Sequence, residues 1–288
     1  MEVGIGLPAT VPGIERGALL DWAKRAEERG FSSLGTLDRL VYPNYEPLVA
    51  LGAAAAVTER IRLTTDVLIV PYRVNATLLA KQAATLDSLS QGRLTLGVGI
   101  GARLDDYEAS GVPLGERGRR MDEMLAEMKA CWDGAERGFA GPVGPPLARQ
   151  GGPALLVGGR VDASFRRAAQ FGDGWTMGGG SPDDFAKAVS RVREEWEKAG
   201  RQGEPRLAAL CYFALGGGAR EAADSYLKHY YGFVGEQGAN AIAESAAVDE
   251  GMARSYRDGF AEAGADELIY FPCSTEVSQV DLLADAVL

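Results

Sequence analysis

The fold is decided by residues 61–101, IRLTTDVLIVPYRVNATLLAKQAATLDSLSQGRLTLGVGIG, which contain two apolar strands separated by a helix. The β-branched run 61–70 predicts a strand that stops at Pro71. Residues 76–89 follow a helical period and end at the turn Ser90-Gln91-Gly92. Residues 93–99 form the next strand. A strand, a helix and a strand in this order are typical of a parallel β-α-β unit.

The same alternation recurs along the whole chain. Helical sequence follows each strand, with longer excursions after the fourth and seventh strands, and the one Pro/Gly-rich stretch, residues 134–153, falls inside the alternation. We therefore predict one α/β domain over residues 1–288, a (β/α)8 TIM barrel; an open doubly wound sheet is the alternative. The predicted strands are residues 3–8, 31–37, 61–70, 93–99, 154–157, 174–177, 207–215 and 268–271.

The charge balance restricts the partners. The chain has 30 Lys and Arg against 40 Asp and Glu, a formal net charge of −10. An acidic chain has no general attraction to nucleic acid or to an anionic membrane surface. No apolar run approaches the roughly 20 residues that span a bilayer. We expect a small-molecule substrate and neither a nucleic acid nor a membrane as partner.

Cysteine and histidine usage restrict the chemistry. Cys131, Cys211 and Cys273 lie far apart and form no C-x-x-C pair, which favours reduced thiols and argues against structural zinc. The N-terminus has no signal-peptide pattern, so we expect a cytoplasmic protein. His229 is the only histidine, which excludes a site with two histidine ligands and any Ser-His-Asp triad that does not use it. We expect no metal site.

Glycines mark the end of the fourth strand. Gly97, Gly99 and Ala102 fit G-x-G-x-x-A, the fingerprint of an NAD-dependent Rossmann dehydrogenase. That fingerprint should open into a long helix, but Gly111 and Pro113 interrupt the sequence that follows. We predict instead that these glycines let the backbone turn tightly beside a flat ligand.

A second glycine pair precedes a helix. Residues 155–159, LLVGG, lead into the helix 162–171, and a helix N-terminus after two glycines can bind an anion. A plain β-α turn explains the segment equally well. Arg103 and Arg117 would favour the anion site if they converge on it, since arginine binds phosphate through a planar fork.

Two further groups are ambiguous. Asp105 and Asp106 are adjacent and would point apart, so we interpret them as solvated loop acids rather than a glycosidase pair. An aromatic cluster follows the seventh strand at helical spacing, which favours core packing, with a pocket wall as the alternative. Its members are Tyr226, Tyr230, Tyr231 and Phe233.

Taken in order, these segments resemble the bacterial luciferase-like monooxygenases, flavin- and deazaflavin-dependent (β/α)8 oxidoreductases, over essentially the whole chain. The matching pieces are residues 61–101, 106–113 (DYEASGVP), 116–120 (ERGRR), 157–159 (VGG), 172–175 (GDGW) and 266–269 (DELI). The resemblance implies a flavin-type ring at the carboxyl ends of the strands and a cofactor phosphate near the fourth and fifth strand ends.

The resemblance also implies site residues. Asp66 and Val67 match a position where the family often has a non-proline cis peptide, forming a bulge under the ring. We assign Gly99 and Arg103, at the end of the fourth strand, to the cofactor as well. The residues that match phosphate contacts are Gly158, Gly159, Ser164 and Arg117.

One position departs from the family. Many members have a histidine where this chain has Arg39, directly after Asp38, and arginine does not release a proton near neutral pH. We predict that Asp38 and Arg39 are catalytic, with Arg39 as a fixed cation that stabilises negative charge on the ring or substrate. Its replacement should then lower turnover with little effect on stability. The alternative is a surface salt bridge to Asp38 or Glu46.

The resemblance implies an oxidoreductase that transfers hydride or activates oxygen for a small organic substrate. The stretch 65–81 favours coenzyme F420, and FMN is close behind; FMN would require NAD(P)H or a flavin reductase as partner. A non-catalytic flavin-binding relative is the alternative to an enzyme. Small side chains at residues 53–56, in the predicted helix 46–58, indicate a homodimer.

Overall fold

The computed structural model describes residues 1–288 and contains a closed barrel of eight parallel strands that pair in chain order. The last strand pairs with the first, for example Val3 with Leu268, and this pairing closes the sheet. The predicted barrel is confirmed, and the open doubly wound sheet is wrong. The strands are β1 (Glu2–Gly6), β2 (Ser33–Thr36), β3 (Arg62–Ile69), β4 (Leu94–Gly99), β5 (Ala154–Gly158), β6 (Gly174–Gly178), β7 (Arg206–Phe213) and β8 (Glu267–Pro272).

Helices follow every strand. The excursion after β4 contains an extra short helix, and the segment after β7 divides into three helices, so both predicted excursions are present. Residues 134–153 contain no helix and only one isolated bridge, between Glu136 and Pro142. The helices are α1 (Arg16–Arg29), α2 (Pro47–Ala55), α3 (Ala76–Leu89), α4 (Leu104–Ser110), α5 (Arg117–Trp132), α6 (Asp162–Phe171), α7 (Pro182–Lys198), α8 (Ala219–Tyr230), α9 (Glu236–Glu244), α10 (Glu250–Glu262) and α11 (Ser278–Val287).

Local sequence explains where the helices begin and end. α1 ends at Gly30, whose φ of 87° is readily adopted only by glycine. The predicted helix 46–58 is shorter, because Glu46 is its N-cap and accepts a hydrogen bond from the Val49 amide at 2.8 Å. Asn75 caps α3 in the same way. The apolar faces of the helices pack on the strands and form one large hydrophobic core.

The amino ends of the strands carry a buried carboxylate. Glu267 is 4% exposed and accepts hydrogen bonds from Arg62 at 3.1 Å and Arg206 at 2.8 Å. The hydroxyls of Ser32 and Ser33 donate to it at 2.6 and 2.7 Å. Burial raises the pKa of Glu267, but the guanidinium groups and the hydroxyls outweigh burial and hold that pKa below its usual range. The group joins β2, β3, β7 and β8 at the amino ends of the strands.

We expect Glu267→Gln to lower the free energy of unfolding by about 3 kcal/mol at pH 7, because two arginines lose a buried anion. Since the folded pKa is lowered, the stabilisation is complete above the unfolded pKa of about 4.3 and is lost as pH falls through the folded value. Urea unfolding between pH 7 and pH 3 should show that the difference in the free energy of unfolding between wild type and Glu267→Gln becomes smaller as the pH falls. Glu204→Gln, at an exposed pair, is the control; equal effects of both variants would contradict this role.

Candidate active site

A cavity of about 710 Å³, counting the open space at its entrance, lies at the carboxyl ends of the strands. This is where barrel enzymes place their active sites. The predicted residues Asp38, Arg39, Asp66, Val67 and Arg103 all line it. The aromatic side chains in its wall are Tyr72, Tyr107, Tyr230, Tyr231 and Phe233.

The cavity floor is a bulge in β3. The register between β3 and β4 shifts between Thr65 and Leu68, and the Asp66–Val67 peptide bond is cis, at the position the resemblance implied. A Cβ placed on Gly99 would lie 2.6 Å from Val67 Cγ2, and one on Gly158 would lie 2.8 Å from Val67 Cγ1. The Val67 side chain therefore occupies the space that glycines leave on β4 and β5.

Gly97 also leaves room for the bulge in β3. A Cβ on Gly97 would lie 2.0 Å from the carbonyl oxygen of Thr65. Gly97 and Gly99 both lie inside β4, and neither has a positive φ. The predicted tight turn at these two glycines is therefore wrong: they are needed because β3 approaches β4 closely.

Asp66 is the least satisfied group of the floor. The Thr176 hydroxyl donates to Asp66 Oδ1 at 2.8 Å, whereas Asp66 Oδ2 is buried without a partner. Burial raises the pKa of Asp66 to about 7; the Thr176 hydrogen bond lowers it, and the negative charge of Glu267 raises it further. This carboxyl group can therefore exchange a proton near neutral pH.

Asp38 is held firmly in the wall. Its Oδ2 accepts hydrogen bonds from the Ile69 amide at 2.8 Å and from Arg73 at 2.9 Å. Burial raises the pKa of Asp38 even though Arg73 opposes the shift. Arg73 also binds Glu46 at 2.7 Å, so the predicted alternative of an Arg39 salt bridge to Asp38 or Glu46 is wrong.

Arg39 lies on the cavity wall but is not a free cation. Its Nε donates to Asp106 Oδ2 at 3.2 Å, and its Nη2 donates to the Val41 carbonyl at 2.9 Å. The guanidinium lies 4.8 and 5.2 Å from the ring centres of Tyr42 and Tyr230. Its side chain is 3% exposed. These contacts lead us to expect a contribution of Arg39 to stability, in contrast to the prediction from sequence.

Asp106 is the residue that sequence reasoning missed. It is 3% exposed, and its Oδ1 accepts the amides of Leu40 and Val41 at 3.1 and 2.7 Å. Its interpretation as a solvated loop acid is therefore wrong. No local pattern reveals this, because the partners come from a loop 65 residues earlier. The only sequence signal is its place in the DYEASGVP segment of the resemblance.

Arg103 completes this group. It donates to Asp105 at 2.6 Å and to the Tyr230 carbonyl at 3.2 Å, and it lies 4.4 Å from the ring centre of Phe233. Tyr230 and Phe233 thus form part of the cavity wall, as does Tyr231, and only Tyr226 of the aromatic cluster is purely a core residue, bonded to Thr10. The pocket-wall alternative is correct for the other three.

The predicted phosphate residues lie at the turn between β5 and α6. A Cβ on Gly159, whose φ is 139°, would lie 2.6 Å from Ser164 Cβ, and the Ser164 hydroxyl donates to the Val161 carbonyl at 2.6 Å. Arg117 begins α5 and donates from Nη1 to the Leu114 carbonyl at 2.7 Å, while its Nε is buried without a partner. Arg103 lines the cavity whereas Arg117 does not, and the two have no partner in common, so the condition that both arginines converge on one anion site is not supported.

Comparison with known proteins identifies the family. The luciferase-like monooxygenase family matches residues 1–273, and this chain belongs to it. An uncharacterized protein of Mycobacterium tuberculosis is 36% identical over 207 residues, 62% of this chain and 71% of that protein. An F420-dependent glucose-6-phosphate dehydrogenase of Nocardia farcinica is 30% identical over 218 residues, 69% of this chain and 65% of that enzyme. The Rossmann dehydrogenase alternative is therefore wrong.

Two solved structures share the barrel. An F420-dependent secondary alcohol dehydrogenase in complex with an F420-acetone adduct superposes with a TM-score of 0.80 at 18% identity, covering 99% of this chain and 98% of that one. The oxygenating constituent of 3,6-diketocamphane monooxygenase from Pseudomonas putida, in complex with FMN, has a TM-score of 0.70 at 18% identity, covering 100% and 99%. At this identity the likeness establishes the fold alone.

No helix of the structure has the length and apolar character needed to cross a membrane. No group of three or more His, Cys, Asp or Glu side chains is arranged to hold a metal ion.

We expect Arg39→Ala to lower the free energy of unfolding by about 2–4 kcal/mol, because the variant leaves the buried Asp106 carboxylate without its closest cation. Urea unfolding at pH 7 measures the change. Arg119→Ala is the control, since Arg119 is 61% exposed and pairs only with Glu123 on its own helix and with Glu116, the N-cap of that helix. An unfolding midpoint equal to that of the control would show that the Arg39–Asp106 contact contributes nothing.

Proposed function

We propose that this protein is an oxidoreductase that binds F420 or FMN in the cavity and uses it to transfer hydride or to activate oxygen on a small organic substrate. The observation that carries the proposal is the cavity floor, where glycines on β4 and β5 admit the Val67 side chain and Asp66 Oδ2 has no partner. The family and the F420- and FMN-dependent relatives support it.

The residues present fit such a cofactor. A flat ring matches an apolar floor at Val67 between aromatic walls, and the ring would supply the redox chemistry while the protein orients it. The turn at Gly158 and Gly159 and the N-terminus of α6 suit a phosphate. Ser164 could join them only by exchanging its hydrogen bond to the Val161 carbonyl for one to the phosphate. Arg117 Nε is buried without a partner, and we propose that Arg117 also donates to this phosphate.

The chain's own side chains define the setting of the reaction. Asp38 and Arg39 each have fixed partners, so both shape the wall and its electrostatic potential rather than shuttle protons. We propose that Arg39 stabilises negative charge that develops on the ring or substrate. The neighbouring Asp106 carboxylate reduces this effect, because it partly neutralises the guanidinium. F420 remains the favoured cofactor because a 30% identical relative is F420-dependent. FMN would bring in NAD(P)H or a reductase.

Fluorescence titration with F420 and with FMN tests the proposal. We expect at least one of them to bind with micromolar or tighter affinity. Arg117→Ala should weaken that binding by about tenfold or more, since a charge-assisted bond to phosphate contributes roughly 1.5–3 kcal/mol. Arg119→Ala, on the exposed face of the same helix, should bind like wild type. No binding of either cofactor at tens of micromolar would reject the function, and tight binding without turnover on any donor would favour the non-catalytic relative.

A homodimer is the second part of the proposal. The outer face of α2 and α3 exposes apolar side chains around a shallow cleft. Val49, Leu78 and Leu89 are 71%, 51% and 74% exposed, and the small residues 53–56 lie on the same helix as Val49 or directly after it. Such a patch on a globular surface is typical of an interaction site.

We expect light scattering to give twice the 30.5 kDa mass of one chain. The double variant Val49→Glu, Leu89→Glu should shift the protein to a monomer, because two charges would be buried at the contact. Phe139→Glu, at a fully exposed loop position, is the control and should not change the mass. A wild-type monomer at working concentration would contradict the dimer.

A further inference from the structure

Asp66 differs from the other buried carboxylates of the cavity. Asp38 has both a guanidinium and a backbone amide as partners. Asp106 has Arg39 and two backbone amides. Asp66 is 4% exposed, has only the Thr176 hydroxyl, and leaves Oδ2 without any partner. An unsatisfied buried carboxylate is costly, so this oxygen requires a ligand or a proton.

No cation compensates for the charge of Asp66. Of the nearby cations, Arg39 and Arg103 bind Asp105 and Asp106, and Arg73 binds Asp38 and Glu46.

The other titratable groups around the cavity do not stabilise the ionised form of Asp66 either. Across the cavity, the Tyr231 hydroxyl is paired with that of Tyr212 at 2.6 Å. Tyr72, Tyr107 and Tyr230 line the same wall and carry no positive charge. From β8, Glu267 adds negative charge. Only the Thr176 hydroxyl on β6 favours the ionised form.

We propose that Asp66 binds the cofactor ring as a neutral carboxylic acid, donating its Oδ2 hydrogen to an acceptor on the ring, so that binding at alkaline pH takes up one proton from solvent. The inference rests on the proposed function. In this binding step the Asp66 carboxylate takes up one proton and the resulting carboxylic acid forms a hydrogen bond to the cofactor. Neither the protein nor the cofactor changes its oxidation state.

The chemistry of the ring supports a hydrogen bond in which Asp66 is the donor and the ring is the acceptor. The edge of an oxidised flavin-type ring carries carbonyl oxygens and ring nitrogens that accept hydrogen bonds, and the cofactor also carries a negative phosphate. An ionised Asp66 offers only acceptors, whereas the acid offers a donor. A ring that covers the floor removes water and makes the ionised form still less favourable. In the free protein the pKa of Asp66 is about 7, so the proton is available near neutral pH.

The test is the pH dependence of cofactor affinity in wild type and Asp66→Asn. Asparagine resembles the neutral acid, because its Oδ1 can still accept from Thr176 while its Nδ2 donates where the acid hydroxyl would. Dissociation constants for FMN and F420 are measured from pH 5.5 to pH 9 and expressed as the ratio of wild type to variant, so that ionisation of the cofactor itself cancels. We expect a constant ratio below neutral pH and a rise of about tenfold per pH unit above it.

Calorimetry at alkaline pH, in buffers of different ionisation heat, should show wild type taking up about one proton more than Asp66→Asn. Thr176→Val removes the hydrogen bond that favours the carboxylate, so the rise in the dissociation constant should begin at higher pH. Asp21→Asn, at a carboxyl group on α1 that is 64% exposed and does not line the cavity, is the control and should leave the wild-type profile unchanged.

Each outcome decides one question. Tight binding with a ratio independent of pH and no extra proton uptake would overturn the role of Asp66 and leave the proposed function standing. Failure of both cofactors to bind at any pH would overturn the proposed function itself. If Asp66→Asn does not fold, two other measurements test the inference. It is rejected if wild type takes up no proton on binding, or if the pH profile of the dissociation constant of Thr176→Val is not shifted from that of wild type.

Discussion

The close approach of β3 to its neighbours is the constraint on which the site depends. At the bulge the Thr65 carbonyl and the Val67 side chain enter space that any side chain on Gly97, Gly99 or Gly158 would fill. The register shift that results brings Asp66 and Val67 to the cavity floor. The glycines thus act through the shape of the sheet, and the floor is rigid because it is built within strands and not within a loop.

Above this floor, Asp106 joins segments that are distant in the chain. Its carboxylate accepts two amides from the loop after β2 and the Arg39 side chain, and Arg103 reaches from the start of α4 to the Tyr230 carbonyl. These contacts position the aromatic wall at the end of α8. Pairing offsets the cost of burying such charges, and Arg39 and Arg103 each donate to more than one acceptor.

Two buried carboxylates at opposite ends of the barrel, Glu267 and Asp66, have opposite surroundings. At the amino ends of the strands, Glu267 has two guanidinium groups and two hydroxyls, and its pKa is lowered. At the carboxyl ends, Asp66 has one hydroxyl and its pKa is raised to about 7. In barrel enzymes the first end supports stability and the second supports function. A carboxyl group left unsatisfied at the functional end is the kind of strain that a ligand can relieve.

The alternation of strand and helix in the sequence limited the fold to a (β/α)8 barrel or an open doubly wound sheet and favoured the barrel, because repeated strand-helix units can bury their apolar faces in few other ways. The pairing of β1 with β8 decided between the two. Resemblance indicated the bulge at Asp66 and Val67, which the structure contains. The phosphate site proposed at Gly158 and Gly159 came from the glycine pair before a helix and from the resemblance. Only the tertiary structure decided the partners of Arg39 and Asp106, and the true role of Gly97 and Gly99. Those contacts join loops and strands that are far apart in the chain. The charge or size of a side chain does not indicate which distant group it will contact in the folded protein.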